Sequence, residues 1–507
     1  MVTEKKERPP LLGRSLTRRR LLGGTLAAGS FAVAYAALGD RLDLFGGGGE
    51  SAALRGEAGA LEDDSVKISH LLRRAGFGVT KEEHDRYQRL GFEATLAELL
   101  DFTSVADDEA VALAEQLPVG EGRIVNPAPW WLVRMANTKR PLQEKLTFFW
   151  HGLLTSQLSV VRDGNAMRAQ NDLLRTLGRA SFPEILRAIS MDPAMMVYLD
   201  TSGSRRNAPN ENYARELMEL FSMGEGNYGE DDVREAARAF TGWVVPRRRD
   251  QNVITLNEPL FRSRQFDAGS KTFLGRTGDF RPEDIIDIIV EQPASARYIS
   301  QRLFSFFVYP GPDEETLAPF VAVYNESDRS IGAVVEALLR SDVFYSDRAY
   351  RAIVRSPVEY LIGAVKALGL QADIGQLLVG GRGRARRDGG VLGAMGQVPF
   401  EPPNVAGWPG GADWLNSATI FARLNLLNDL TGATGRDRQG HSQAVGGLGT
   451  ATQALDHYLP LVLDDNLPPE ARSLFVEFAG GADRPLSPEQ LRDLVYLILA
   501  SPQFHLS

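Results

Sequence analysis

The residues of this chain best placed to do chemistry are carboxylates and imidazoles, because the sequence has no cysteine and only six histidines. Without cysteine there are no disulfides, thiolate metal sites or thiol nucleophiles. The densest polar run is Asn210-Glu211-Asn212-Tyr213-Ala214-Arg215-Glu216-Leu217-Met218-Glu219-Leu220. Asn210, following Pro209, is a good helix N-cap. Helical spacing places Asn212, Glu216 and Glu219 on one face and turns Leu217, Leu220 and Phe221 to the core. Two carboxylates on one face can hold a hard cation or work as an acid–base pair. The plainer alternative is an ion-pair network in which Arg234 and Arg238 of the next helix meet them.

Three other places carry candidate chemistry. His151 ends the run Phe148-Phe149-Trp150, which puts an imidazole in an apolar setting, either as a third catalytic candidate beside Glu216 and Glu219 or as a core histidine bonded to a backbone carbonyl. His70 opens Leu71-Leu72-Arg73-Arg74-Ala75-Gly76-Phe77-Gly78, as a ligand-binding candidate or a helix-surface residue. Pro402-Pro403-Asn404-Val405-Ala406-Gly407-Trp408-Pro409-Gly410-Gly411, with Trp414 and Asn416 behind it, is a rigid, turn-rich loop. Its Asn404, Trp408 and Trp414 either line a sugar- or peptide-binding groove or lock the loop down with Trp408 as the plug. Gly269-Ser270-Lys271-Thr272 hints at a phosphate loop but lacks the Gly-Lys pair. G-x-S-x-G, H-E-x-x-H, the Walker motif and a strand-to-helix G-x-G-x-x-G are all missing, so no motif indicates a cofactor, and the sequence names no metal.

The elements that must position these residues are mainly helical. Ile285, Ile286, Ile288 and Ile289 recur at helical spacing, and Pro293 suits the first turn of the helix carrying Ile299, Leu303, Phe306 and Phe307. Ser356-Pro357-Val358-Glu359 is a capping box, and Pro488 opens a last helix over Leu491 to Leu499. Strand signals are few: Trp243-Val244-Val245 and Val253-Ile254-Thr255-Leu256 flank a polar segment and suggest a hairpin. The expectation is a mainly α protein with a small β-hairpin element. Residues 65–507 form one large helical domain, whose last helices lie at 450–507. The Gly/Arg-rich stretch 380–390 and residues 432–449 look like loops.

The N-terminal part has a different character. Thr17-Arg18-Arg19-Arg20-Leu21-Leu22, an apolar small-residue stretch and Ala34-Tyr35-Ala36 have the order of a twin-arginine signal peptide over residues 1–36. Residues 37–64, with Gly46 to Gly49, then look like a flexible linker. The location expected is periplasmic or extracellular, with no stable span after signal removal; the alternative is an N-terminal membrane anchor over Leu21 to Leu38. The chain carries −9 and its first 36 residues +5 (seven Lys/Arg, two Asp/Glu), so the remainder carries −14. Such an acidic balance is a poor match for nucleic acid, and no membrane-surface stripe of Lys and Arg stands out.

His70 to Gly78, Phe149-Trp150-His151, Asn210 to Leu220 with Phe240-Thr241-Gly242-Trp243, Asp267 to Gly275, and Pro402 to Gly411 together resemble the bacterial 1800 family of domains of unknown function, over roughly residues 65–430. The resemblance implies an exported protein with no established activity and a co-exported sulfatase-like partner. Relatives carry His where this chain has Phe221 and Phe266, so of the family's histidine positions His70 and His151 remain here, with Glu216, Glu219, Asp267 and nearby Lys271. Two functional readings follow. One is a non-catalytic envelope protein that binds a partner or ligand through the face built by Asn212, Glu216, His151 and the Trp408 loop, with Asn210 and Arg215 as further ligand-binding candidates. The other is a carboxylate-assisted hydrolase, with or without a divalent metal, using Glu216 or Glu219 as base.

Overall fold

The computed structural model describes residues 60–117, 126–250, 253–375, 390–432, 447–467 and 469–507. The signal segment, most of the linker, the Gly/Arg-rich stretch and most of 432–449 lie outside the described residues. The fold is mainly α, as the apolar spacing indicates.

Helix ends follow the local chemistry. Asp63 caps the helix Asp64–Arg74, its carboxylate accepting the Ser65 N–H at 2.7 Å. Ser356 and Glu359 close a reciprocal capping box on Pro357–Ala367, with proline in the first turn. Asn416 caps Ser417–Thr431 through the N–H groups of Ala418 and Thr419. Nearly every residue of Pro357–Ala367 is buried, which makes it the central helix of the core. Each such Leu, Ile or Val contributes on the order of 2 kcal/mol by leaving water.

Pro141–Leu153 carries His151 and is buried along most of its length, polar residues included. Its Glu144 is fully buried and accepts from Trp131 Nε1 at 2.8 Å, Arg134 Nε at 2.9 Å and Arg175 Nε at 2.6 Å. Its Lys145 pairs with Glu359 of the central helix and donates to the Gly76 carbonyl at 3.0 Å. The buried charges of Glu144 and Lys145 are thus each met by an opposite charge and further hydrogen bonds, as a low-dielectric interior demands.

The C-terminal helices are built into this core. The Asp464 carboxylate, at the end of Ala451–Leu463, sits between Arg73 and Arg351 and accepts the Tyr350 hydroxyl at 2.7 Å. The last residues pair by backbone with the segment before the central helix: Ser507 N–H to Ile353 O at 2.7 Å, and Arg355 N–H to His505 O at 2.8 Å.

Among the described residues the β structure is three two-stranded antiparallel pairs: β1 (Trp243–Val244) with β4 (Leu260–Phe261), β2 (Arg247–Asp250) with β3 (Val253–Leu256), and β5 (Lys271–Phe273) with β6 (Arg276–Gly278). A small β element stands where the sequence suggests one, but Trp243-Val244-Val245 and Val253–Leu256 do not pair with each other. Residues 253–256 pair with the arginine run 247–250, and Trp243 faces Phe261. Leu256, packed on Met196, Val197 and Val245, holds that register, since a one-residue slip would turn it to water.

Candidate functional site

The helix Asn212–Glu219 buries Tyr213, Ala214, Leu217 and Met218, and Phe221 follows them into the core. Its outer face holds Asn212, Arg215, Glu216 and Glu219. Asn210 initiates it from one residue further out than expected: its side-chain oxygen accepts the Asn212 N–H at 2.9 Å, and its own N–H reaches Ser204 Oγ at 3.0 Å. Arg215 is committed to Glu230 by two bonds, 2.7 and 2.8 Å, with Glu211 at 3.5 Å. Glu219 accepts the Tyr228 hydroxyl at 2.8 Å.

Glu216 differs from all of these. It is half-buried, and its carboxylate has no ion-pair or hydrogen-bond partner among the described residues. Burial, and then the neighbouring Glu219 carboxylate, raise its affinity for a proton, with Arg215 opposing. The arginines that might have neutralised it point elsewhere: Arg234 pairs with Asp231, and Arg238 with Asp267 and Glu235. Tyr198, at the end of Pro193–Tyr198, lies in the same field. Partial burial and then the Glu216 and Glu401 carboxylates push its phenol up. Tyr198 thereby feels the charge of both the Asn212 helix and the segment that carries Glu401.

That loop is fastened from beneath by His151. The imidazole is buried, and its Nε2 accepts the Phe400 N–H at 3.0 Å; Trp131, Phe400 and Trp408 surround it at ring distances of 4.9, 4.8 and 5.3 Å. Burial drops its pKa to about 3, so it is neutral at physiological pH with its Nε2 lone pair already used. It is a core histidine, bonded to a backbone N–H where a carbonyl was expected. Thr155 Oγ1 donates to Val405 O at 2.6 Å, and Asn404 Oδ1 accepts the Ala406 N–H at 2.9 Å. Gly407 has φ +85° and sits so close to the preceding helix that a Cβ would come within 2.5 Å of the Gly152 carbonyl. Trp408 stays partly exposed above His151, whereas Trp414 is buried against Gly396 and takes the locking role that one of the two readings gives to Trp408.

The remaining candidates belong to the scaffold. His70 is fully buried and bonds the Phe344 carbonyl through Nε2 at 3.0 Å. Burial, followed by Arg74 and Arg73, keeps it neutral, so Nε2 is the protonated nitrogen. Asp267 holds Arg238 through both oxygens, at 2.7 and 3.1 Å, which keeps its carboxyl below the ordinary range. The Lys271 ammonium is buried and donates to the carbonyls of Asp267 and Gly269 at 2.8 and 2.9 Å, so it closes its own loop instead of reaching outward for a phosphate. Among the described residues no group of three or more His, Asp or Glu is arranged to hold a metal ion. The structure thus keeps Asn212 and Glu216 on one helix face and places Tyr198 in the electrostatic field of both Glu216 and Glu401, while Trp408 packs on His151 and His70, Asp267, Lys271 and Trp414 serve the scaffold. Glu401 was marked in the sequence only by its place before the Pro402-Pro403 pair; Tyr198, a lone aromatic after a Met-rich turn, carried no signal.

This is a large helical domain whose polar motifs mostly serve its own framework. The chain belongs to the family described as a protein of unknown function, DUF1800, whose model matches residues 70–506. The match runs past residue 430 to the last helices, in keeping with the pairing of Asp464 and Ser507 into the core. No curated protein and no solved structure matches the chain. Among the described residues no helix is long and apolar enough to cross a membrane.

Proposed function

We propose that this protein binds a partner through the face formed by Tyr198, Asn212, Glu216, Glu401 and Trp408, and that the group it receives is cationic. The observation that carries this reading is the half-buried Glu216 carboxylate left without a counter-charge. A cation from outside would relieve that cost, and the rings of Tyr198 and Trp408 offer it π faces. The scaffold roles of His151, Asp267 and Lys271 leave Glu216 without a second catalytic group from among the candidates, which favours binding over catalysis. A carboxylate-assisted hydrolase built on Glu216 has less support, since Glu219 is engaged by Tyr228 and His151 by Phe400.

The twin-arginine pattern at Arg18 and Arg19 supports export, and the co-exported sulfatase-like protein suggested by the family resemblance is the first partner to test. Replacing both arginines by lysine should abolish recovery outside the cytoplasm. Purification of the tagged full chain from its native host should yield a stoichiometric complex. Recovery as a lone monomer would count against the binding reading.

A further inference from the structure

A second surface has the opposite charge. Arg205, Arg206, Arg247, Arg248, Arg262 and Arg264 are all exposed, and none has an ion-pair partner among the described residues. They are scattered over sixty positions of sequence, which hides them, but the backbone gathers them. Arg206 N–H bonds Gln265 O at 2.8 Å, Gly242 N–H bonds Ser204 O at 3.2 Å, and Arg262 N–H bonds Gly242 O at 2.8 Å. The loop before the Asn212 helix, the foot of the hairpin and the segment after β4 are therefore one continuous patch. Arg247 and Arg248 follow on β2, where successive side chains leave by opposite faces, so one of the two continues the patch.

The same patch exposes apolar side chains. Leu260 is 54% and Phe261 40% exposed, among the most exposed large apolar residues described. Phe261 joins Trp243 and Phe266 in a row of rings spaced 5.2 and 5.5 Å, and the Arg281 guanidinium lies 5.8 Å from the Phe266 ring. On a protein of net charge −9, the concentration of unpaired guanidinium groups beside exposed Leu260 and Phe261 is a local reversal of the molecule's charge.

From this juxtaposition we infer that the hairpin face docks on an anionic phospholipid surface, guanidinium groups on phosphates and Leu260 and Phe261 at the headgroup boundary. Arginine suits this contact because its planar fork grips phosphate oxygens while its stem lies along apolar surface. Aromatic and aliphatic side chains flanked by basic ones are the composition that a membrane interface takes. An acidic peptide would satisfy the arginines but would give the exposed Leu260 and Phe261 no apolar counterpart.

Vesicle flotation with the full chain tests the inference. The protein should float with phosphatidylcholine vesicles containing about 30 mol% phosphatidylglycerol and not with pure phosphatidylcholine. Each removed arginine should weaken the partition about fivefold, so Arg262→Glu with Arg264→Glu should lose most of it. Leu260→Ser with Phe261→Ser, a change that keeps the charge, should also weaken it. Raising the salt from roughly 50 to 500 mM should release the protein. The chemical denaturation midpoint of each variant, unchanged, separates lost docking from lost folding. Equal flotation with both vesicle types overturns the inference. So does binding of a poly-glutamate peptide without any vesicle binding, which would assign the face to an acidic protein.

Discussion

Replacing Asp464 by asparagine should be among the most damaging single changes in this protein, and replacing its partner Arg73 by methionine should cost far less. The asymmetry follows from the count of charges. One buried carboxylate serves two buried guanidinium groups, Arg73 and Arg351, and also accepts the Tyr350 hydroxyl. Asp464→Asn strands both cations at once, and an uncompensated buried charge costs about 3–5 kcal/mol. Arg73→Met strands none, because Arg351 and Tyr350 still hold the carboxylate. It also removes Arg73 Nε and Nη2, two buried donors without partners, so a net cost of about 1 kcal/mol or less is expected. Adding Arg73→Met to Asp464→Asn should recover part of the loss. The pH dependence has a definite sign. Despite burial, Arg73 and Arg351 hold the Asp464 carboxyl well below the ordinary range. Its contribution is therefore present above an unfolded value of about 4 and is lost as pH falls below it. Urea unfolding followed by circular dichroism at neutral pH, on the three variants, measures the order. If Arg73→Met proves more damaging than Asp464→Asn, the account of this cluster is wrong.

Other consequences concern the site's surroundings. Asp192 is buried, and burial pushes its carboxyl up to about 7 against the opposing bonds from Met195 N–H and Gln170. Stability from this group is full below pH about 4 and lost as pH rises through the folded value, so Asp192→Asn should gain about 1–3 kcal/mol at pH 8 and nothing at pH 4. A variant that loses stability at both pH values would contradict this. Gly407→Ala forces a Cβ onto the Gly152 carbonyl in a left-handed conformation and should cost about 1–3 kcal/mol. Its first sign should be faster proteolytic cleavage within the detached loop at 402–411, at a protease concentration that leaves the wild type intact.

Much of this architecture was legible in the sequence because it is local. The capping box at Ser356 and the isoleucine spacing at 285–289 specify helices by short-range rules, and the helices stand where those rules put them. What was not legible depends on contacts across long separations. The direction of Arg238 is decided by Asp267, twenty-nine residues on, so the expected partner of Glu216 is occupied elsewhere. The Asn212 face was readable from the i, i+4, i+7 spacing, but its neighbours Tyr198 and Glu401 arrive from separate elements. His151 was correctly placed in an apolar setting, yet its role as acceptor for Phe400 lies 249 residues away. The hairpin's register was missed because the apolar runs 243–245 and 253–256 invite each other, whereas the arginine run between them forms the second strand.

The central claim, that Glu216 is an unpaired carboxylate kept for a partner's cation, is tested most directly by cross-linking in the native host. A photoreactive amino acid at Asn212, exposed on the same helix face, should give one discrete adduct with the wild-type background and lose it when Glu216→Lys is added. An adduct of unchanged yield in the Glu216→Lys background would contradict the claim.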